Sequence, residues 1–278
     1  PRRRPDGTGM RARTATLLNT AEVELWPGGL LRARSNRDAR VLARARRVLR
    51  RKRDGRYLAA VLGEGLMPLQ PRLAREPGID EALDLLDAPP RLSGALEPGG
   101  LPPTLLQARL DALGLDAEAY ARRTGLATIA EPEVLALAGF DRYRRPLWLR
   151  PDAARAWERM RAAAARDGVV LEAISGYRSH DYQLGIFERK LARGLAVAEI
   201  LAVNAAPGFS EHHAGDALDI GTPGEPPAEE SFEATPAFDW LSRHAAAHGF
   251  AMSYPRGNPH GIVYEPWHWR FVGPDAVQ

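Results

Sequence analysis

The segment SEHHAGDALDI, residues 210–220, sets His212 and His213 a few residues ahead of Asp216 and Asp219. Imidazole nitrogen and carboxylate oxygen are the donors zinc takes when thiolates are lacking, and this chain has no cysteine. A continuous helix would stack His212 over Asp219, but Gly215 within the segment and the GTPGEPP run behind it favour a loop entering a strand. In a strand over 215–220, Leu218 and Ile220 share one face, while Ala217 and Asp219 share the other. Gly215 permits the sharp turn that folds His212 back toward Asp219. A catalytic zinc takes three protein ligands and keeps one position open, so a third ligand must come from elsewhere in the chain.

The segment YEPWHWRFVG, residues 264–273, offers one. In a strand from Trp267, the side chains of Trp267, Trp269 and Phe271 share one face, and His268 projects with Arg270 from the other. Pro266 releases Glu265 from that alternation, so Glu265 can approach the same metal without binding it. A carboxylate there suits metal-assisted peptide hydrolysis, taking a proton from the attacking water and returning it to the leaving amine. The segment SGYRS, residues 175–179, places Arg178 at a strand end, where a fixed positive charge stabilises an oxyanion or holds a substrate carboxylate. Gln183, on the first turns of the helix that follows, reaches the same cleft. Asp216 is one step off the alternation of Asp219 and faces away from the metal, and His213 has no assigned part. His180, His244, His248 and His260 read as isolated surface or capping residues.

These residues need a mixed α and β frame. Asp152 reads as the cap of a helix running toward Arg166, with Trp157, Met160 and Ala164 on one face. A strand at VVLEAISGY follows, then a helix capped by Ser179 and closed by Gly194. A third helix over about 236–248 precedes short strands at FAMSY and WHWRFV. Farther upstream, residues 36–56 carry Val41, Leu42, Ala45, Val48 and Leu49 at helical spacing among arginines, which predicts a basic helix closed by Gly55. Its charge suits phosphates, anionic lipid or an acidic polymer, although a solvated face is the plainer reading. No aromatic residue interleaves with the arginines, which argues against nucleic acid as a partner. Prolines and glycines recur from Leu66 to Pro103, and two short helical patterns follow. The expected division is a mostly helical, basic region over 1–127 with a Pro/Gly-rich linker, and a catalytic domain over 128–278.

The net charge is +3, carried by arginine, with Lys52 and Lys190 the only lysines. No apolar run approaches the roughly 18 residues of a membrane span, so no transmembrane segment is expected. The first twenty residues lack an apolar stretch of about 7 to 15 residues, so they do not themselves call for secretion. A location facing the cell envelope is expected if a leader has been removed, and a cytoplasmic one otherwise.

With these segments assembled, the chain resembles the zinc D,D-peptidases of bacterial cell walls, the VanY-like (LAS) family of D-alanyl-D-alanine carboxypeptidases. The family pattern SxHxxGxAxD falls on Ser210, His212, Gly215, Ala217 and Asp219. The resemblance implies an α+β fold with a small antiparallel sheet and flanking helices around a zinc site, of the hedgehog/D,D-peptidase-like kind. It implies one zinc ion held by His212, Asp219 and His268, with Glu265 as catalytic base and Arg178 stabilising the transition state. Gln183 and Ser210 fall on substrate-binding positions. Peptidoglycan stem peptides ending in D-Ala-D-Ala are the expected substrate. The alternatives are an endopeptidase, cutting L-Ala-D-Glu bonds or cross-links, and a non-catalytic zinc-containing binding module. Glu265 and Arg178 argue against the module, because a structural zinc needs neither.

Overall fold

The computed structural model describes residues 15–89, 100–101, 103 and 105–273. The chain opens with a hairpin of β1 (Thr16–Asn19) and β2 (Val23–Pro27), paired Leu18 to Leu25. A short helix, α1 (Asn36–Leu42), begins where the Ser35 hydroxyl accepts the Asp38 N–H. The meander then continues through β3 (Arg47–Arg51), β4 (Tyr57–Leu62) and β5 (Gly65–Pro68).

The single helix expected over 36–56 is therefore corrected: it ends at Leu42, and the rest turns into β3. Val48 and Leu49 are buried on opposite faces, Val48 against Tyr57 and Leu62, and Leu49 against Leu25 and Leu58. A strand buried on both faces shows a continuous apolar pair rather than alternation, and over so short a run that cannot be told from a helical stripe. Several of the arginines are paired rather than free. Arg44 pairs with Glu64, Arg50 with Glu24, and Arg51 with Asp54 and Glu76.

Three more short helices follow: α2 (Ile79–Asp87), α3 (Leu106–Asp111) and α4 (Ala117–Thr124). The Pro/Gly-rich linker expected from Leu66 to Pro103 is corrected in its first part, where β5 ends and α2 forms, and its residues 90–99 lie outside the described residues. The N-terminal region thus has its short helices and a five-stranded antiparallel meander, with α2 packed on the meander and α3 and α4 packed on Phe209, Tyr254 and Ile262 farther along the chain. That sheet also crosses the expected boundary at 127/128. β6 (Val134–Phe140) pairs with β1, Thr16 opposite Ala136, and β7 (Pro146–Leu149) completes a seven-stranded order β5-β4-β3-β2-β1-β6-β7.

Helix α5 (Pro151–Arg166) begins on Pro151, whose missing N–H costs nothing at that position. Arg150 occupies the cap position, so Asp152 sits inside the first turn, where its charge favours the helix dipole. Its buried face carries Trp157, Met160 and Ala164. The remaining elements are β8 (Glu172–Ser175), α6 (His180–Leu191), α7 (Val197–Val203), β9 (Ala217–Gly221), α8 (Pro236–His244), β10 (Phe250–Met252) and β11 (His268–Phe271). The four strands form a second antiparallel sheet in the order β10-β11-β9-β8. Trp157, Met160, Leu218, Ile220, Trp240 and Trp269 lie in the core that joins this sheet to α5, α8 and β7. The fold is α+β, with antiparallel sheets flanked by helices. Among the described residues, no helix is long and apolar enough to cross a membrane.

Candidate metal centre

Asp219 and His268 meet because β9 and β11 are antiparallel neighbours with these two residues directly opposite each other. Trp269 and Leu218, the next pair, point into the core, so the polar pair is forced to the other face. His212 arrives from a 3₁₀ turn over Glu211–Ala214 that Gly215 ends in the left-handed region, at φ 71°. A Cβ on Gly215 would stand 2.6 Å from Leu135 Cδ2 and 3.2 Å from the Arg150 nitrogen, so both conformation and space demand glycine there.

One donor atom from each of His212, Asp219 and His268 lies within 4.8 Å of the others, and all three residues are buried. Asp219 Oδ1 is 3.3 Å from His212 Nε2 and 3.2 Å from His268 Nδ1. The outer atoms of the three are already engaged. His212 Nδ1 donates to the Gly176 carbonyl at 2.8 Å, His268 Nε2 meets Glu211 Oε2 at 2.9 Å, and Asp219 Oδ2 accepts the Ser175 hydroxyl at 2.7 Å. Such partners fix ring orientation and raise the basicity of the inward nitrogen. His212 Nε2 is buried with no hydrogen-bond partner among the described residues. An orphaned, inward-facing imidazole nitrogen is what a metal ligand leaves for its ion.

Charge coupling within the triad is strong. Burial opposes the Asp219 charge, but His212 and His268 outweigh it and hold the carboxyl well below its ordinary value. Burial likewise opposes a proton on His268, yet the carboxylates of Asp219 and Glu211 push it up to about 10. For His212, burial and the charge of Arg178 lower the pKa to about 4, which leaves a neutral ring.

Glu265 stands beside the triad, its Oε2 3.8 Å from His268 Nδ1, and its N–H is fixed on the Tyr254 carbonyl at 3.0 Å. Burial raises this carboxyl to about 7, with His268 opposing and Asp219 adding to the rise. Arg178 lies in the link between β8 and α6, and its charge is felt at His212, Asp219 and Glu265. Gln183 is buried on the first turns of α6. Its Nε2 donates to the Ala205 carbonyl at 2.9 Å, and its Oε1 lacks a partner among the described residues. Ser210 is buried at the head of the 3₁₀ turn, with its carbonyl accepting the His213 N–H and its hydroxyl making no cap.

The sequence reading missed three residues here. Glu211 sits between two motif positions, and only the tertiary contact with His268 shows its part. His213 is fully buried, its Nδ1 donating to the Arg178 carbonyl at 2.7 Å and its Nε2 accepting the Gly208 N–H at 3.0 Å. His180, read above as a surface or capping histidine, is buried with its Nε2 on the Ile129 carbonyl at 2.8 Å. Asp216 does face away from the triad, toward Arg270 at 3.4 Å.

The fold and the cluster together define a candidate metallohydrolase. The family described as D-alanyl-D-alanine carboxypeptidase (VanY) matches residues 146–274. The chain is 36% identical over 144 residues to a putative carboxypeptidase, YodJ, of Bacillus subtilis (strain 168), covering 50% of this chain and 52% of that protein. It is 34% identical over 150 residues to VanXYC of Enterococcus gallinarum, a bifunctional D-Ala-D-Ala dipeptidase and D-Ala-D-Ala carboxypeptidase, covering 51% of this chain and 76% of the relative. The match thus spans about half the length of the first of these relatives. Among solved structures, the LdcB LD-carboxypeptidase is similar at a TM-score of 0.49 and 33% identity, over 53% of this chain and 72% of that one. VanYB in complex with D-alanine-D-alanine is similar at 0.41 and 30%, over 47% and 75%. The chain belongs to the VanY D-alanyl-D-alanine carboxypeptidase family.

Proposed function

We propose that this protein is a zinc-dependent carboxypeptidase that removes the terminal D-Ala from peptidoglycan stem peptides. The observation that carries this reading is the convergence of His212 Nε2, Asp219 Oδ1 and His268 Nδ1 beside the buried carboxyl of Glu265. Two nitrogens and one oxygen suit zinc, whose bonds of about 2.0–2.2 Å at tetrahedral angles separate neighbouring donors by about 3.3–3.6 Å. The separations of 3.3 and 3.2 Å around Asp219 Oδ1 are close to that range. His212, Asp219 and His268 would hold the ion, which when bound supplies Lewis acidity toward a carbonyl and toward water.

The chain's own residues do the rest. Glu265, raised to about 7, takes the proton of the attacking water and passes it to the nitrogen of the departing D-Ala, so water divides between a new carboxylic acid and a free amine. Arg178 faces the charge that develops on the carbonyl oxygen, which stabilises the transition state more than the ground state. Gln183 Oε1, buried and unpartnered, suits a substrate N–H, and Ser210 lines the same approach. The D-Ala-D-Ala dipeptidase and carboxypeptidase VanXYC, to which the chain is similar, supports D-Ala-D-Ala ends as substrate.

Incubation of zinc-loaded protein with defined muropeptides, followed by mass analysis, tests the proposal. Release of free D-Ala from a pentapeptide stem is the expected product. Cleavage at an internal bond without D-Ala release would establish an endopeptidase instead, and no cleavage at all would leave a zinc-containing binding module.

A further inference from the structure

Arg178 is held by its backbone and its neighbours rather than by its own side chain, whose buried Nε has no partner among the described residues. Its N–H donates to the His212 carbonyl at 3.2 Å, and its carbonyl accepts from His213. Glu131 grips the chain on both sides of it. Oε2 accepts the Tyr177 hydroxyl at 2.5 Å, and Oε1 accepts the His180 N–H at 2.8 Å. Glu131 in turn pairs with Lys52 at 2.5 Å, the two side chains being 5% and 0% exposed. Lys52 follows β3 in the N-terminal meander and also donates to the Thr20 carbonyl at 2.5 Å. Asn19, at the end of β1, donates to the Tyr177 hydroxyl at 2.8 Å and to the Pro132 carbonyl at 3.0 Å.

A buried ion pair is a weak device for stability alone, since apolar residues of the same volume often do as well. This pair does something an apolar one cannot: the carboxylate accepts from two donors that straddle Arg178. The choice of lysine is also informative in a chain whose only other lysine is Lys190, its remaining Lys/Arg residues all being arginine. A compact ammonium fits between the Thr20 carbonyl and Glu131, whereas a planar fork needs a different cavity.

We propose that Glu131 and Lys52 are positioning residues for catalysis: a charge pair completed by the N-terminal sheet fixes the Tyr177–His180 segment and thereby aims Arg178 at the reacting carbonyl. The role in catalysis rests on the hydrolase reading above. Its consequence is that residues 128–278 are not a self-sufficient catalytic unit, because the meander supplies Lys52 and Asn19 to the brace.

The test compares full-length, zinc-loaded wild type with Glu131→Gln and Tyr177→Phe, using a peptide ending in D-Ala-D-Ala and amide hydrogen exchange over 177–183. For Glu131→Gln, kcat falls about tenfold while KM stays within about twofold and zinc content is unchanged. Tyr177→Phe, which keeps the ring and removes one grip, shifts kcat the same way by about threefold. Exchange over 177–183 rises in both. An unchanged kcat accompanied only by a lower melting temperature would overturn the proposal. If Glu131→Gln does not fold, Tyr177→Phe decides by the same criteria. If wild type cleaves no such peptide, the hydrolase reading fails, and the exchange arm still judges the brace: unchanged protection over 177–183 overturns it.

Discussion

Two buried polar clusters lie on either side of Arg178, and they differ in what they leave unsatisfied. Around Glu131, donors and acceptors are matched across Lys52, Tyr177, His180 and Asn19, and among the described residues only Asn19 Oδ1 is left over. Around Asp219, the outer atoms are matched and the inward Asp219 Oδ1 and His268 Nδ1 meet at 3.2 Å, but three groups of the neighbouring segments are not matched. His212 Nε2, Arg178 Nε and Gln183 Oε1 are all buried without partners among the described residues. Leaving a buried polar group unpaired costs about 1–3 kcal/mol. The matched cluster therefore does the work of holding, and the unmatched one is built to receive something.

Substitutions can break this contrast at either end. Glu265→Gln should lower D-Ala release by about 10²- to 10⁴-fold with zinc content unchanged by elemental analysis; activity surviving the change would remove the base from the account. Lys52→Met leaves Glu131 buried without its counter-charge and should cost about 3–5 kcal/mol in denaturant unfolding, with zinc still bound. Adding Glu131→Gln to Lys52→Met should recover much of that loss, since no lone charge is then buried. Glu211→Gln, which touches only the outer atom of one ligand, should weaken zinc by about 10–100-fold in a chelator competition.

The smallest effect concerns acid. Burial opposes the Glu131 charge, yet Lys52, His180 and Tyr177 hold the carboxyl at about 2, against an ordinary 4.5. A carboxyl lowered on folding adds stability that is fully present above its unfolded value and is lost as pH falls toward the folded one. Wild type should therefore lose more unfolding free energy than Glu131→Gln between about pH 5 and about pH 3. Equal losses would mean that Glu131 is not charged in the folded state.

Much of the unmatched cluster was legible in the sequence, because it follows from short-range rules. Strand alternation sends His268 away from the tryptophans and Asp219 away from Leu218, and Gly215 marks the turn that returns His212. The matched cluster was not legible. Glu131 and Lys52 are 79 residues apart, and His268 and Glu211 are 57 apart, so only the fold reveals either pair. The N-terminal meander was hidden for a different reason. Val48 and Leu49 are each buried, on opposite faces of one strand, and that pattern mimics a helical stripe. His213 was left unassigned and His180 was read as a surface or capping residue because neither shows a partner in the sequence, and only the fold brings their ring nitrogens to the carbonyls of Arg178 and Ile129.

X-ray absorption at the zinc edge of the loaded protein tests the central claim most directly. Zinc carrying two imidazoles, from His212 and His268, with oxygen donors completing the shell, is the expected result, with one imidazole fewer in His212→Ala. Zinc bound without imidazole, or a spectrum that His212→Ala leaves unchanged, would contradict it.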